Sequence, residues 1–280
     1  MANITVTTAA NFIPELWAAQ IQETLHKNLV LAPLFDRQYR AGIKLGDTIH
    51  VPNLAEIAAA DKAASTDVTY TANTETVVDI LINKHKYAAV KIEDIADTQA
   101  QYDLRENYTR EISRSVAQAI DTELATTIDD FSQTVGTLIV ELTDDNIIRA
   151  VQYLDDANAP LEDRCIGISP AQKAGFLKLD KFVHVDYRAA IGGLTANKGR
   201  GYWGNIYGCD VYVSTNIEGS NALGHDNGMW QREAVAIVMQ MEPKVVSEYS
   251  VDSLAWKLVC HSIFGYKEMR DTCGVWLKGA

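Results

Sequence analysis

Between residues 104 and 128, apolar side chains fall on every fourth position: Leu104, Tyr108, Ile112, Val116, Ile120, Leu124 and Ile128. Each four-residue step carries the chain about 40° beyond a full helical turn, so this stripe winds round the helix instead of following one straight face. The spacing predicts a single long helix over 94–131, capped by Asp94 or Asp97 and finished before Gly136. Acids gather near its start, where the helix dipole favours them. Ile13, Trp17, Ile21 and Leu25 repeat the same step and predict a short amphipathic helix over 12–28, with Pro14 suited to its first turn. Leu29, Val30, Leu31, Leu34 and Phe35 follow around Pro33. That much apolar surface in a terminal segment has to dock, either on its own domain or on a neighbouring copy.

Period-two alternation takes over elsewhere. Residues 47–52, preceded by Gly46, and 76–92, rich in β-branched side chains, read as strands. The intervening residues 53–73 are small and polar, with neither period. A projecting hairpin accounts for them better than a long loop inside a compact domain. Further on, the pattern predicts a helix over 143–158, a buried-type strand over 164–168 and a helix over 171–179 after Pro170. A Gly-rich loop over 192–208, a strand over 210–214 and a turn-rich stretch over 219–228 come next. Closing strands follow over 234–241, 245–251, 254–264 and 274–278. There is no internal repeat or low-complexity tract. Early strands, one long helix, a mixed insert and closing strands make an α+β protein.

Composition narrows the function classes. The 280 residues, 47% apolar and 22% charged, suffice for one large domain or two modest ones. The net charge is −12. Residues 93–133 hold ten acids against three bases, while 234–280 hold five of each and are neutral. That balance argues against tight phosphate binding, which needs clustered Lys and Arg. The longest apolar run, 234–239, is too short to cross a bilayer. The first residues lack the basic start and apolar stretch of a signal peptide, so an intracellular product is expected. Cys165, Cys209, Cys260 and Cys273 are too widely spaced for a zinc or redox pair and read as small buried hydrophobes.

Two strings resemble catalytic motifs, and both fail on physical grounds. Gly167-Ile168-Ser169-Pro170-Ala171 lies between a strand and a helix, where a hydrolase nucleophile would sit, with His184, His225, Asp186 and Asp210 downstream. The oxyanion hole of that motif uses the N–H of the residue after the serine. Here that residue is Pro170, which has none. Ser169 as a helix N-cap, with Pro170 at the first helical position, is the better account. Gly199-Arg200-Gly201-Tyr202-Trp203-Gly204 matches a dinucleotide-binding string, yet no helix follows it. Arg200, Tyr202 and Trp203, beside Lys198, also offer a weak platform for stacking single-stranded bases. The six histidines show no metal spacing, and Cys260 and His261 point to opposite faces of a strand. No catalytic, cofactor or metal centre is expected.

The order of features resembles the major capsid proteins of tailed phages, the Hong Kong 97-like fold that encapsulins share. The segment from Leu81-Ile82-Asn83-Lys84-His85-Lys86-Tyr87 to Val90-Lys91-Ile92-Glu93-Asp94-Ile95 is similar to the join between hairpin arm and spine helix in those coat proteins. Val116-Ala117-Gln118-Ala119-Ile120-Asp121-Thr122-Glu123-Leu124 resembles the spine helix itself. Residues 164–170 and 204–214 resemble the axial domain, and 259–275, with Gly265 and Gly274, the closing peripheral strands.

The resemblance implies an N-terminal arm at 1–43, an extended loop at 44–92, a peripheral domain at 93–143 with 234–280, and an axial domain at 144–233. It implies many copies of the chain arranged as pentamers and hexamers in an icosahedral shell round double-stranded DNA, without sequence-specific binding or a membrane. The shell would be a virion capsid assembled in the bacterial host cytoplasm. A portal, a possible decoration protein and, because the sequence starts at the arm, a separate scaffolding protein are expected. Trp17, Ile21, Leu25, Leu34, Phe35, Lys62, Tyr70, Arg200, Tyr202 and Trp203 are the candidate assembly residues, together with the winding face of the spine helix. Lys62, near the hairpin tip, stands where some relatives carry a cross-linking lysine, but no activating neighbour is identifiable. Deleting residues 1–40 is expected to abolish assembly and leave a folded core. The alternatives are an encapsulin-type compartment, a hydrolase built on Ser169, and a helically polymerising sheath or tube.

Overall fold

Asp103 interrupts the expected long helix. Its side chain accepts the backbone N–H of Glu106 at 3.1 Å, an N-cap that starts a new element. A short helix α1 (Asp94–Gln99) and a 22-residue helix α2 (Leu104–Ala125) therefore replace one continuous helix. The end differs too. The Thr127 hydroxyl and N–H both turn back to the Leu124 carbonyl, so the helix stops well short of Gly136. The computed structural model describes residues 29–40, 46–55, 57–59, 61–68, 70, 72, 75–99, 103–179, 182 and 201–279. The helix expected over 12–28 lies outside them.

The winding stripe of α2 faces the chain's own interior. Ile112, Val116, Ile120 and Leu124 are buried, and only Tyr108, 41% exposed, remains largely outside. This corrects the expectation that the stripe is an assembly surface. It packs on a three-stranded antiparallel sheet with strand order β10-β11-β3, formed by β3 (Lys84–Glu93), β10 (Val235–Ser250) and β11 (Ala255–Glu268). Ile92, Leu258, Cys260 and Phe264 supply the buried inner face, while His85, Tyr87, Lys91 and Lys257 stand on the exposed outer one. Two short strands were expected over 234–251. A single 16-residue strand with two bulges, between Met239 and Lys244, takes their place.

The run over 76–92 is not one strand. β2 (Glu75–Leu81) pairs only with β1 (Thr48–Leu54), in register from Thr48 opposite Leu81 to Leu54 opposite Glu75. Ile82 and Asn83 then carry the chain into β3 and a different sheet.

The third sheet has seven strands. On it lie α3 (Asp144–Asp156) and α4 (Pro170–Phe176). Its strands are β4 (Thr134–Gly136), β5 (Arg164–Ile168), β6 (Tyr202–Ile206), β7 (Cys209–Val213), β8 (Gly219–Ser220), β9 (Gly224–Gln231) and β12 (Gly274–Gly279), in the order β4-β12-β9-β5-β7-β6 with β8 beside β9. β6 falls inside the expected Gly-rich loop, and β9 begins inside the expected turns and runs on to Gln231. Sheet membership does not follow the boundaries expected from the sequence. β3, from within 44–92, pairs in the three-stranded sheet with β10 and β11, while β4 and β12, from within 93–143 and 234–280, join the seven-stranded sheet. One continuous core links α2, the three-stranded sheet and the seven-stranded sheet through Trp230, Ile128 and Phe35, all fully buried.

Candidate functional site

The segment after the first 28 residues is knitted into that core. Val30, Leu31 and Phe35 are buried, and Phe35 stacks on Trp230 with ring centroids 5.3 Å apart. Asp36 donates its N–H to the Val235 carbonyl and accepts the Ile237 N–H, adding a single parallel bridge to the edge of β10. The central anchor is Asp121 on α2, itself fully buried. Its two oxygens accept the backbone N–H groups of Val30 at 3.3 Å, Leu31 at 2.8 Å and Ala32 at 2.9 Å, and the Asn216 side-chain amide at 2.5 Å. Four donors meet a buried carboxylate that would otherwise be costly to desolvate. Phe35 is therefore a core residue and no assembly contact, and Leu34 is half-buried against the same core. A deletion through residue 40 would remove part of the core, contrary to the expectation of a folded remnant.

The root of the β1–β2 hairpin is fixed as tightly. Ile80 and Ile82 bury against Ala236 and Val238. The Ile82 N–H reaches the Asp47 carbonyl at 2.7 Å, and the Gln240 amide reaches the Gly46 carbonyl at 3.0 Å. Gly265 on β11 lies directly under the crossing chain, where a Cβ would stand 2.1 Å from the Leu81 carbonyl oxygen. Just beyond, Lys84 and Lys86 hold the Glu123 carboxylate of α2 at 2.5 and 2.6 Å. Burial alone would raise the Glu123 carboxyl, but the two lysine hydrogen bonds outweigh it and hold the group down at about 2. The Glu123 hydrogen bond in turn raises the Lys84 ammonium.

Away from this root, the hairpin has little to rest on. Exposure climbs to 70% at Leu54, 74% at Ile57 and 92% at Tyr70. Val68 and Val77 are likewise exposed, and so is Lys62. Lys62 and Tyr70 thus occupy the outlying part of the hairpin. Tyr202 and Trp203 instead belong to β6. Tyr202 packs edge-on to Tyr212, and Trp203 stacks on Phe176 with Lys173 Nζ 6.0 Å from its ring. Both rings are half-buried in their own domain, which leaves little of a base-stacking platform. Trp17, Ile21, Leu25 and Arg200 lie outside the described residues.

The Ser169 side chain does what its sequence neighbours predict. It accepts the Gln172 N–H at 3.0 Å as the N-cap of α4, is buried, and carries Pro170 next to it. Among the described residues no cluster of three or more metal-type side chains exists, and no helix is long and apolar enough to cross a membrane. All four cysteines are buried, and burial pushes the Cys209 thiol up to about 11.

A carboxyl pair marks the joint between the two larger sheets. β11 ends at Glu268 and β12 begins at Gly274. Between them Asp271 accepts both the N–H, at 2.8 Å, and the hydroxyl of Ser132, in the loop after α2. Burial, the hydrogen bond with Asp271 and the charges of Asp271 and Asp130 push the Glu268 carboxyl up to about 7. Burial also opposes ionisation of Asp271, but the Ser132 donors prevail and hold it below the usual carboxylate range.

Asp121, Glu123 and Glu268 escaped the sequence reading. Asp121 carried one available signal: it sits ahead of the winding stripe, about 60° from Leu124 on the wheel, on the side toward which the stripe turns.

A family model described as phage capsid protein matches residues 75–276. Among solved structures, a chain from Mycobacterium phage Che8 is 24% identical with a TM-score of 0.79, over 96% of this chain and 98% of that one. The capsid structure of the cyanophage P-SCSP1u is 17% identical with a TM-score of 0.78, over 100% of this chain and 97% of that one. The capsid of a native GTA particle is 11% identical with a TM-score of 0.70, covering 100% of both chains. No curated protein sequence gives a match.

Proposed function

We propose that the chain, which belongs to the phage capsid protein family and as a major capsid protein builds the head shell on a Hong Kong 97-like fold, does so chiefly by laying its hairpin, and the segment preceding Leu29, on neighbouring copies. The observation that carries this reading is the contrast within β1–β2. Its root is locked by Ile80, Ile82, Gly265 and the Lys84–Glu123–Lys86 group, while its far part leaves Leu54, Ile57, Val68, Tyr70 and Val77 in solvent. A two-stranded hairpin is marginal by itself, and apolar side chains along it gain stability only when a partner covers them.

On this reading the three-stranded sheet with α2 is the rigid plate of the subunit, and the seven-stranded sheet is the axial domain grouped round the five-fold and six-fold axes. Pentamers and hexamers of the chain close an icosahedral shell. The shell surrounds double-stranded DNA, which an acidic subunit does not grip by its phosphates. A scaffolding protein, a portal and a decoration protein are the accessory partners, and assembly takes place in the host cytoplasm. The role of Ser169 as an N-cap leaves the hydrolase alternative without support. An encapsulin-type compartment is not favoured by the family match, and no observation supports a helical tube.

Electron microscopy of the purified chain tests the reading. Closed shells are expected from the intact chain. Replacing residues 55–74 with a two-residue turn is expected to give a folded protein, by circular dichroism, that forms none. Normal shells from that variant would overturn the role given to the hairpin.

A further inference from the structure

Two histidines that are 176 positions apart meet on the outer face of the three-stranded sheet. In the antiparallel pairing of β3 with β11, His85 lies opposite Ile263 and Tyr87 opposite His261. His85 and His261 are therefore diagonal neighbours on one face. That face is turned away from α2, and both side chains reach solvent. His85 Nε2 and His261 Nδ1 stand 3.3 Å apart, and the rings meet edge to face with centroids 5.4 Å apart.

That separation suits a shared ion. Two imidazole nitrogens bound to one tetrahedral cation at about 2.0–2.1 Å are about 3.3–3.4 Å from each other. Without an ion, one ring must donate and the other accept, so a single proton occupies the same space. Imidazole favours the late first-row divalent metals, whereas magnesium and calcium seek oxygen ligands.

We propose that His85 and His261 form a two-imidazole site for a divalent zinc-type transition cation, with water completing the coordination shell. The two nitrogens are already placed, so binding needs only that the donor ring move its proton to its other nitrogen, with no rearrangement of the strands. Two protein ligands, with Lys244 opposite His261 on β10, make this an exchangeable site instead of a permanent structural one. Its position gives it a consequence. His85 follows Lys84 at the hairpin root, so an ion there ties the first turn of β3 to β11 beside the point where the hairpin leaves the sheet.

The test is calorimetric titration of the full-length, unassembled chain with zinc chloride. His85→Ala and His261→Ala are the variants, and His50→Ala, which removes the separate His50–Asp79 pair, is the comparison. Saturable binding of one zinc per chain is expected, with a zinc-dependent rise in Tm that a chelator reverses. Each of His85→Ala and His261→Ala is expected to weaken binding by about tenfold or more while leaving the zinc-free Tm unchanged, whereas His50→Ala leaves binding intact. Zinc affinity unaltered in the first two variants, lost in the His50 variant, or undetectable in the parent would overturn the proposal.

Discussion

The carboxylate of Asp121 accepts the backbone N–H of Leu31 at 2.8 Å, across 90 positions of sequence. This contact and its three companions fix where the N-terminal segment leaves the spine helix. Asp121→Ala would strand three backbone donors and one amide in the core and is expected to destabilise the chain by about 3–5 kcal/mol. Asp121→Asn keeps the volume but supplies one acceptor oxygen, so a smaller loss is expected. Chemical denaturation of the two variants gives the order, and equal losses would mean that packing, not hydrogen bonding, sets the contribution.

Gly265 has no room for a side chain. A Cβ at 2.1 Å from the Leu81 carbonyl oxygen meets backbone, which cannot rotate away. Gly265→Ala is expected to lower stability by about 2 kcal/mol or more by lifting the hairpin root off β11. Hydrogen exchange would register faster exchange at the Ile82 N–H, which the root bond to Asp47 otherwise protects.

Glu268 predicts a pH dependence near neutrality. Its folded value of about 7 exceeds the ordinary 4.5, so the folded state holds a proton that the unfolded chain releases. The stabilisation is fully present below about 4.5 and is lost as pH rises through about 7. Glu268→Gln should flatten this fall and leave the variant more stable than the parent at pH 8. A parent whose Tm does not decline between pH 5 and 8 relative to the variant would contradict the assignment.

Glu123 acts at the other end of the scale. Its folded value of about 2 lies below the ordinary 4.5, so its contribution is present above 4.5 and disappears as pH falls toward 2. Glu123→Gln is expected to be less stable than the parent at pH 6 and to converge with it near pH 2. Thermal melts across that range distinguish this from a pH-independent packing defect.

Tyr70 and Lys62 separate folding from assembly. Both are exposed, so Tyr70→Ser and Lys62→Ala should change subunit stability by no more than about 0.5 kcal/mol. The proposed role of the hairpin predicts that Tyr70→Ser nonetheless reduces the yield of closed particles. Unchanged yield would remove Tyr70 from the set of assembly contacts.

Much of the architecture was legible because periodicity and burial agree. The four-residue stripe located α2, alternation located β1, and Ser169-Pro170 announced α4. The failures share a physical cause, which is that distant packing overrides local preference. β9 carries Gly224, Asp226, Asn227 and Gly228, all turn formers, yet it lies in the middle of the largest sheet. Asn227 earns its buried place by accepting the Ser169 N–H at 2.7 Å, and a Cβ at Gly228 would stand 2.6 Å from Ile128. Neither requirement can be seen from the strand itself. The break between β2 and β3 has no Gly or Pro to mark it, because it is set by where two separate sheets need the chain. The Asp103 cap was visible as an acid three residues before Glu106, but Asp94 and Asp97 offered earlier caps that concealed it. Of the candidate site, exposed Lys62 and Tyr70 were legible from a polar insert. Phe35 was not, since an apolar terminal segment gives no sign of whether its own core or another copy will cover it.

With the hairpin laid on a neighbouring copy as proposed, its locked root would also determine how the subunit carries load. β1 and β2, each seven residues long, form a lever of roughly 24 Å. Its fulcrum is the crossing over Gly265. Tension along that lever passes through Ile82 and Asn83 into β3, and from there into the ladder with β11. There it pulls along the strands, so that many hydrogen bonds share the strain at once instead of opening one after another. A shell built from such joints would resist internal pressure by shear within each subunit's sheet, with the Lys84–Glu123–Lys86 group as the fastening that keeps the spine helix from peeling away.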